Sequence, residues 1–191
     1  MNKIMPDDKQ LISDFLRGDE TAFELLMKKY LKPIYNFLYQ LTGDSSATDD
    51  LTQVAFIKVW KNRHRFNEKK SFKTWIFTIA KNTAYDYFKK KKTIPFSSFL
   101  DEEGNNRLEN VAEQNILPDE ILARKDIALE IEKKMGEIPE KYRLLLTLHY
   151  KDDFSLTEIS QILNLPYNTI KSSHGRALKA LKERFLESRP G

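Results

Sequence analysis

Asn82 lies in a stretch whose residue types suit a melted strand of DNA. If Ser71 to Lys92 is helical, Thr74, Thr78, Lys81, Asn82, Tyr85, Lys89 and Lys92 line one side. Phe72, Ile76, Ile79, Thr83 and Tyr87 fall on the other. Lysines neutralise phosphates, an aromatic ring stacks on an unpaired base, and a carboxamide bonds a base edge. The residues just before this stretch add Arg63, Arg65, Phe66 and Lys70. A solvated basic face would explain the Lys89–Lys92 run alone. It does not explain the stripe and the loop together.

A second constellation sits near the C-terminus. Ser155–Leu163, a short turn at Asn164-Leu165-Pro166, and a stretch from Tyr167 onward have the lengths of a helix-turn-helix. On the last helix, Ile170, Ala177, Leu178, Leu181 and Phe185 share one face and are expected to be buried. Asn168, Thr169, Ser172, Arg176 and Lys179 share the opposite face, with Lys171 beside them. Amides, hydroxyls and cations are the groups that read base edges and bind phosphates. His174 falls on the apolar face and is expected to be a core or boundary residue.

The third constellation lies between Ser46 and Arg65. Leu51, Ala55 and Val59 define a core face, while Asp50, Gln53, Val54 and Ile57 cluster on the other side, with Asp49 adjoining. Directional polar groups beside exposed branched apolar ones suggest a docking surface for another protein.

Covalent chemistry finds little to work with. The chain has no cysteine, so disulfides, thiolate metal sites and cysteine nucleophiles are excluded. Its three histidines are scattered, no glycine-rich phosphate loop occurs, and no metal-ligand spacing is found. Asp49-Asp50 is the candidate acid pair among the three constellations, and neighbours on a helix point about 100° apart, which chelates poorly. Neither a catalytic residue, a metal nor a cofactor is expected.

The elements that must position these groups read as helical nearly throughout. Leu11, Ile12, Phe15 and Leu16 form a short helix stopped by Gly18. Glu20 to about Leu41 repeats apolar residues at Phe23, Leu26, Met27, Tyr30, Ile34, Phe37, Leu38 and Leu41, with Pro33 predicting a kink or break. Helices follow over Ser46–Arg65 and Ser71 to about Lys92, with Phe66–Lys70 as a loop. Thr93–Pro118 is acidic, carries Gly104-Asn105-Asn106, Pro95 and Pro118, and lacks a sustained period, so it reads as a flexible linker. Helical pattern resumes at Asp119. Pro139 starts another helix, and Ser155 with Glu158 forms a capping box. The expectation is an all-α chain of two small helical domains, residues 1–92 and 119–191, joined by the acidic linker 93–118, the C-terminal domain being a helix-turn-helix.

Charge follows the same division. Lys58–Lys92 holds 12 Lys or Arg against Glu68 and Asp86, and Asn168–Arg189 holds 6 against Glu183 and Glu187. Asp101–Glu130 between them holds 9 Asp or Glu against Arg107, Arg124 and Lys125. Two basic blocks separated by an acidic stretch imply two contacts with a polyanion. Met1–Leu11 carries Asp7 and Asp8 and no apolar core, so no signal peptide is expected, and no apolar run reaches the roughly 20 residues that span a bilayer. A soluble, cytoplasmic protein without direct membrane insertion is the expectation.

These residues reach a family. Asp49-Asp50-Leu51-Thr52-Gln53-Val54-Ala55-Phe56-Ile57-Lys58-Val59-Trp60 and Phe72-Lys73-Thr74-Trp75-Ile76-Phe77-Thr78-Ile79-Ala80-Lys81-Asn82 resemble region two of bacterial RNA polymerase sigma factors. Ile138-Pro139-Glu140-Lys141-Tyr142-Arg143, Leu156-Thr157-Glu158-Ile159-Ser160 and Asn168-Thr169-Ile170-Lys171-Ser172 resemble region four. Two regions and a short linker make the chain similar to the extracytoplasmic-function group. The resemblance implies that the face bearing Asp50 and Gln53 grips the clamp coiled coil in the largest subunit of core RNA polymerase. It implies that the loop and the Asn82 helix melt and hold the promoter element nearer the start site. The helix-turn-helix would read the more distant element as duplex, and an anti-sigma factor would hold the protein inactive.

Three positions depart from the family's usual pattern: Val54, where an acid is common; Ser173, where Arg is common; and His174, where Leu is common. The second departure predicts that Ser173→Arg strengthens distant-element binding. Two other classes remain in view. A stand-alone helix-turn-helix regulator would bind specific duplex DNA by itself and ignore polymerase. A small nuclease would need a metal-binding carboxylate cluster.

Overall fold

The structure is a computed structural model that describes residues 8–91 and 125–187. The linker expected at 93–118, Lys92, and the resumption of helix at Asp119 lie outside the described residues. Every regular element among those described is helical, and the chain divides into two compact units, the first built on residues 8–91 and the second on most of residues 125–187.

The first unit contains α1 (Asp8–Leu16), α2 (Glu20–Thr42), α3 (Ser45–Lys61), a 3-10 turn at Arg63–Arg65, and α4 (Phe72–Lys90). Each long helix starts on a side-chain cap. Asp19, Asp44 and Ser71 accept hydrogen bonds from the backbone N–H groups of Ala22, Ala47 and Thr74, which satisfies donors that no helical carbonyl reaches. Gly43 closes α2 with φ 62°, its N–H donating to Tyr39 O, the left-handed stop that glycine adopts without strain. α2 packs on α1, α3 and α4, and α3 also packs on α4. Between them lie Phe15, Leu26, Ile34, Phe37, Leu38, Val59, Ile76 and Phe77, all buried. Phe15 and Phe72 meet edge to face at 5.7 Å, and Phe37 and Phe77 sit 5.3 Å apart.

Pro33 does not break α2, which runs on to Thr42. Proline in a helix interior costs about 3 kcal/mol. Here Tyr30, Ile34, Phe37 and Leu38 flank it on a buried face, and burying one such side chain returns about 1.5–3 kcal/mol. α3 ends at Lys61, earlier than expected. Asn62 turns its side-chain amide back onto Lys58 O at 2.8 Å, and the chain tightens into the 3-10 turn at Arg63–Arg65.

Residues 125–187 form α5 (Lys125–Glu137), α6 (Glu140–Leu146), a π-helical turn (Thr147–Lys151), α7 (Leu156–Leu163) and α8 (Tyr167–Glu187). α8 packs on α5 and α6. Its Ala177 and Leu181 form a buried cluster with Ile138 and Leu146, flanked by Met135, Tyr142, Leu178, Ala180 and Phe185. The π turn has no counterpart in the sequence expectation. It continues the leucine run of α6 and ends with Phe154 N–H donating to Leu148 O at 3.0 Å. The capping box forms at α7. Ser155 Oγ accepts from Glu158 N–H at 3.2 Å, and Glu158 Oε2 accepts from Ser155 N–H at 3.0 Å.

Candidate functional site

α3 is two-faced. Ala47, Thr48, Leu51, Thr52, Ala55, Phe56 and Val59 are buried. Asp49, Asp50 and Gln53 are exposed, and Val54 and Ile57 are 40% and 52% exposed among them. None of these five hydrogen-bonds or ion-pairs with another described side chain. The structure therefore leaves a continuous patch of carboxylate, carboxamide and branched apolar groups that the domain's own packing does not use. At about 100° per residue, the five fall within less than half the helix circumference.

α4 carries the stripe. Thr78, Lys81, Asn82, Tyr85 and Lys89 lie on its outer side, with Asn82 and Lys89 exposed and Tyr85 38% exposed. Lys81 is half-buried, and burial lowers its pKa. Its Nζ sits 5.5 Å from the Tyr85 ring centroid and 3.5 Å from Asn82 Oδ1, so cation, ring and carboxamide form one local group. Thr78 Oγ1 donates to Thr74 O at 2.8 Å. Asp86, the one acid on α4, pairs with Lys58 of α3 at 3.0 Å. That pairing offsets the only negative charge on the helix. Farther along, Lys91 Nζ lies over the Tyr87 ring at 4.6 Å and extends the basic end, a pair with i,i+4 spacing that the sequence reading passed over.

Three residues differ from expectation. Thr74 is buried, not on the outer stripe, because the buried face of α4 is broad enough to take Phe77, Ala80 and Ala84 as well. Phe66 packs into the domain. Its ring contacts Phe72 edge to face at 5.4 Å and Trp75 at 5.1 Å. Arg63 lays its guanidinium over Trp60 at 4.4 Å and donates to Trp60 O at 3.0 Å. The ring and the cation that the sequence offered to DNA are thus engaged at home, while Arg65 and Lys70 stay exposed.

In the second unit, the turn before α8 is fixed by Asn164 at φ 56° and by Leu165 N–H donating to Ser160 O at 3.0 Å. Asn168, Lys171, Ser172 and Lys179 are exposed, and Thr169 and Arg176 are half-buried. Ser172 Oγ donates to Thr169 O at 3.1 Å. Ser173 is 4% exposed, three residues after buried Ile170 and four before buried Ala177, so it belongs to the inward face. The expected gain from Ser173→Arg does not fit this placement: a guanidinium there must displace packed atoms or lose its water. His174 is a boundary residue, as expected. Its Nε2 lies 3.3 Å from Tyr150 Oη, and its ring is 5.0 Å from that of His149. Burial first, then the neighbouring His149, push its pKa down to about 4.

Among the described residues, no group of three or more His, Asp or Glu could hold a metal ion, and no helix is long and apolar enough to cross a membrane.

The family Sigma-70 region 2 matches residues 26–94, and Sigma-70, region 4 matches residues 128–181. The ECF RNA polymerase sigma factor SigW of Bacillus subtilis is 30% identical over 181 residues, covering 94% of this chain and 97% of that protein. This chain belongs to the extracytoplasmic-function group of RNA polymerase sigma factors. This sigma factor is also 29% identical over 178 residues to the ECF RNA polymerase sigma-E factor of Escherichia coli K12, covering 91% of this chain and 92% of the relative. A solved structure of the sigma factor RpoE with the anti-sigma factor NepR from Bartonella quintana shares the fold, with a TM-score of 0.58 at 22% identity, covering 87% of this chain and 98% of that one. As a sigma factor, the protein binds core RNA polymerase and promoter DNA and directs transcription initiation. The α3 and α4 faces both lie within the region 2 match, and α8 up to Leu181 lies within the region 4 match.

Proposed function

We propose a division of labour among the three faces of this sigma factor. The α3 patch of Asp49, Asp50, Gln53, Val54 and Ile57 docks on the clamp coiled coil of the polymerase's largest subunit. The α4 stripe of Thr78, Lys81, Asn82, Tyr85 and Lys89, with Arg65 and Lys70 from the loop, holds the melted element nearer the start site. The exposed side of α8, from Asn168 to Lys179, reads the distant element as duplex. The corresponding domains are residues 1–92 and 119–191, with 93–118 as a linker. The protein does no covalent chemistry, because the polymerase supplies the active site, and it works in the cytoplasm.

The observation that carries this reading is the α3 patch. Apolar side chains left half in water beside uncompensated polar groups are what a protein partner covers. The partner of a resting sigma factor is an anti-sigma factor. The fold relatives RpoE and CnrH were solved in complex with the anti-sigma factor NepR and with the cytosolic domain of CnrY, respectively, and the same kind of partner is proposed here.

Reconstitution with bacterial core polymerase tests the assignment. Promoter-selective transcription is expected only when both components are present. Asn82→Ala should lower open-complex formation on duplex promoters while core binding stays intact. Unchanged promoter opening by this variant would remove Asn82 from the proposed role, and a parent chain that never binds core polymerase would overturn the docking assignment.

A further inference from the structure

The large exposed apolar and aromatic side chains include Val54, Ile57 and Tyr85, each already placed on a face, and Tyr167, which is not. Tyr167 is the first residue of α8 and is 46% exposed. It makes no hydrogen bond or ring contact with another described residue. Its position is nonetheless well defined. Asn164 turns the chain in the left-handed region, Pro166 has its own φ fixed by its ring, and Ile170 N–H donates to Pro166 O at 3.2 Å, one turn before the buried core begins at Ile170. On the helix wheel Tyr167 lies about 40° from Lys171, about 100° from Asn168 and level with Phe185, so it sits at the leading end of α8 on the boundary between its apolar and polar sides.

A recognition helix enters the major groove with its N-terminal residues toward the base edges. The apolar feature presented there is the C5-methyl group of thymine. A tyrosine ring held in water by a rigid turn gains nothing inside its own domain and can gain from covering that methyl group. We infer that Tyr167 is a specificity-determining residue of this sigma factor, its ring packing on a thymine methyl at the end of the distant element that the α8 N-terminus meets. The inference rests on the proposed role of α8.

The test uses holoenzyme assembled from bacterial core polymerase and the full chain. The probe is a library of linear duplex promoters randomised over both elements, with transcripts sequenced to find which templates were used. Parent, Tyr167→Ala, Tyr167→Phe and Arg176→Ala are compared. The parent should select thymine at one or two adjacent positions at one end of the distant element. Tyr167→Ala should lower that preference about fivefold or more and leave the other positions unchanged, while Tyr167→Phe retains it. In the parent's best template, uracil in place of that thymine should cost the parent the same factor and cost Tyr167→Ala nothing. Three results would overturn the inference: unchanged selection by Tyr167→Ala, loss of the preference in Tyr167→Phe as in Ala, or equal use of uracil and thymine by the parent. If Arg176→Ala loses distant-element selection and Tyr167→Ala keeps it, Tyr167 alone is misassigned. If neither variant loses it, α8 is not the reader, and both proposals fall.

Discussion

The double substitution Asp50→Ala, Gln53→Ala separates docking from folding. Both side chains are exposed and neither makes a hydrogen bond or ion pair with a described residue, so the folded domain loses no polar contact. Alanine is also the best helix former, ahead of Asp and Gln by a few tenths of a kcal/mol. The melting temperature should therefore stay within the range of neutral surface changes, about 0.5 kcal/mol, or rise slightly. Binding should respond differently. A central interface residue commonly carries about 2 kcal/mol or more, and one such loss is roughly a thirtyfold weaker complex. Ile57→Ala supplies a calibrated second arm. About half of its surface remains open to solvent, at 52%. Full burial of an isoleucine side chain is worth about 1.5–3 kcal/mol, so covering the open half is worth about 1 kcal/mol, roughly fivefold in affinity. The assay is titration of labelled chain with core polymerase, run beside thermal melts followed by circular dichroism. Normal affinity in the double variant would refute the docking face. A collapsed melting curve would refute the claim that the fold does not need these residues.

The remaining expectations concern the second unit. The pKa of His174 is pushed down to about 4 by burial and by His149, so the unfolded chain binds its proton first. The stabilisation should be complete above about pH 6.5 and should fall away as pH drops toward 4. His174→Leu should flatten that part of the melting-temperature profile, and a profile of unchanged slope would count against the argument. Ser155→Ala removes a hydroxyl that accepts from Glu158 N–H and donates to Glu158 Oε2 at 2.8 Å. It should cost about 1 kcal/mol, a shift of about 4–8 °C for a domain of this size, and no loss in chemical or thermal melts would show the cap to be idle. Ser173→Arg should lower the stability of the region 4 unit without tightening promoter binding, so a steeper salt dependence with unchanged melting would restore the sequence-based expectation.

What the sequence revealed about the fold was mostly local. The apolar spacing of α3 separated Leu51, Ala55 and Val59 from Asp50, Gln53, Val54 and Ile57, and the structure buries the first set and exposes the second. Ser155 and Glu158 announced a capping box that forms as read. The departures came from packing between elements. Phe66 looked like a loop aromatic, but the rings that take it belong to α4, and helical periodicity cannot report a contact between a loop and a helix. Arg63 was more accessible to reasoning, since it follows Trp60 by three residues, the spacing at which side chains on one helix meet. Ser173 carried a signal too. It falls at core spacing between Ile170 and Ala177, and the comparison with the family's usual residue drew attention away from it. Pro33 shows the opposite case, a local rule outweighed by a buried face that only the assembled helices create.

Placing the proposed near-element and distant-element readers in separate compact units makes promoter choice a conjunction. Each contact alone is a modest, salt-sensitive adhesion to a polyanion. Once one is made, the other, carried on the same chain, no longer has to find the promoter from free solution. Their discriminations then multiply. If each element is favoured about 100-fold, DNA carrying both is favoured about 10,000-fold over DNA carrying neither. A genome offers on the order of a million or more competing sites, a crowd in which either preference by itself would be lost. The distance between the two elements thus becomes a third piece of information. No side chain reads it.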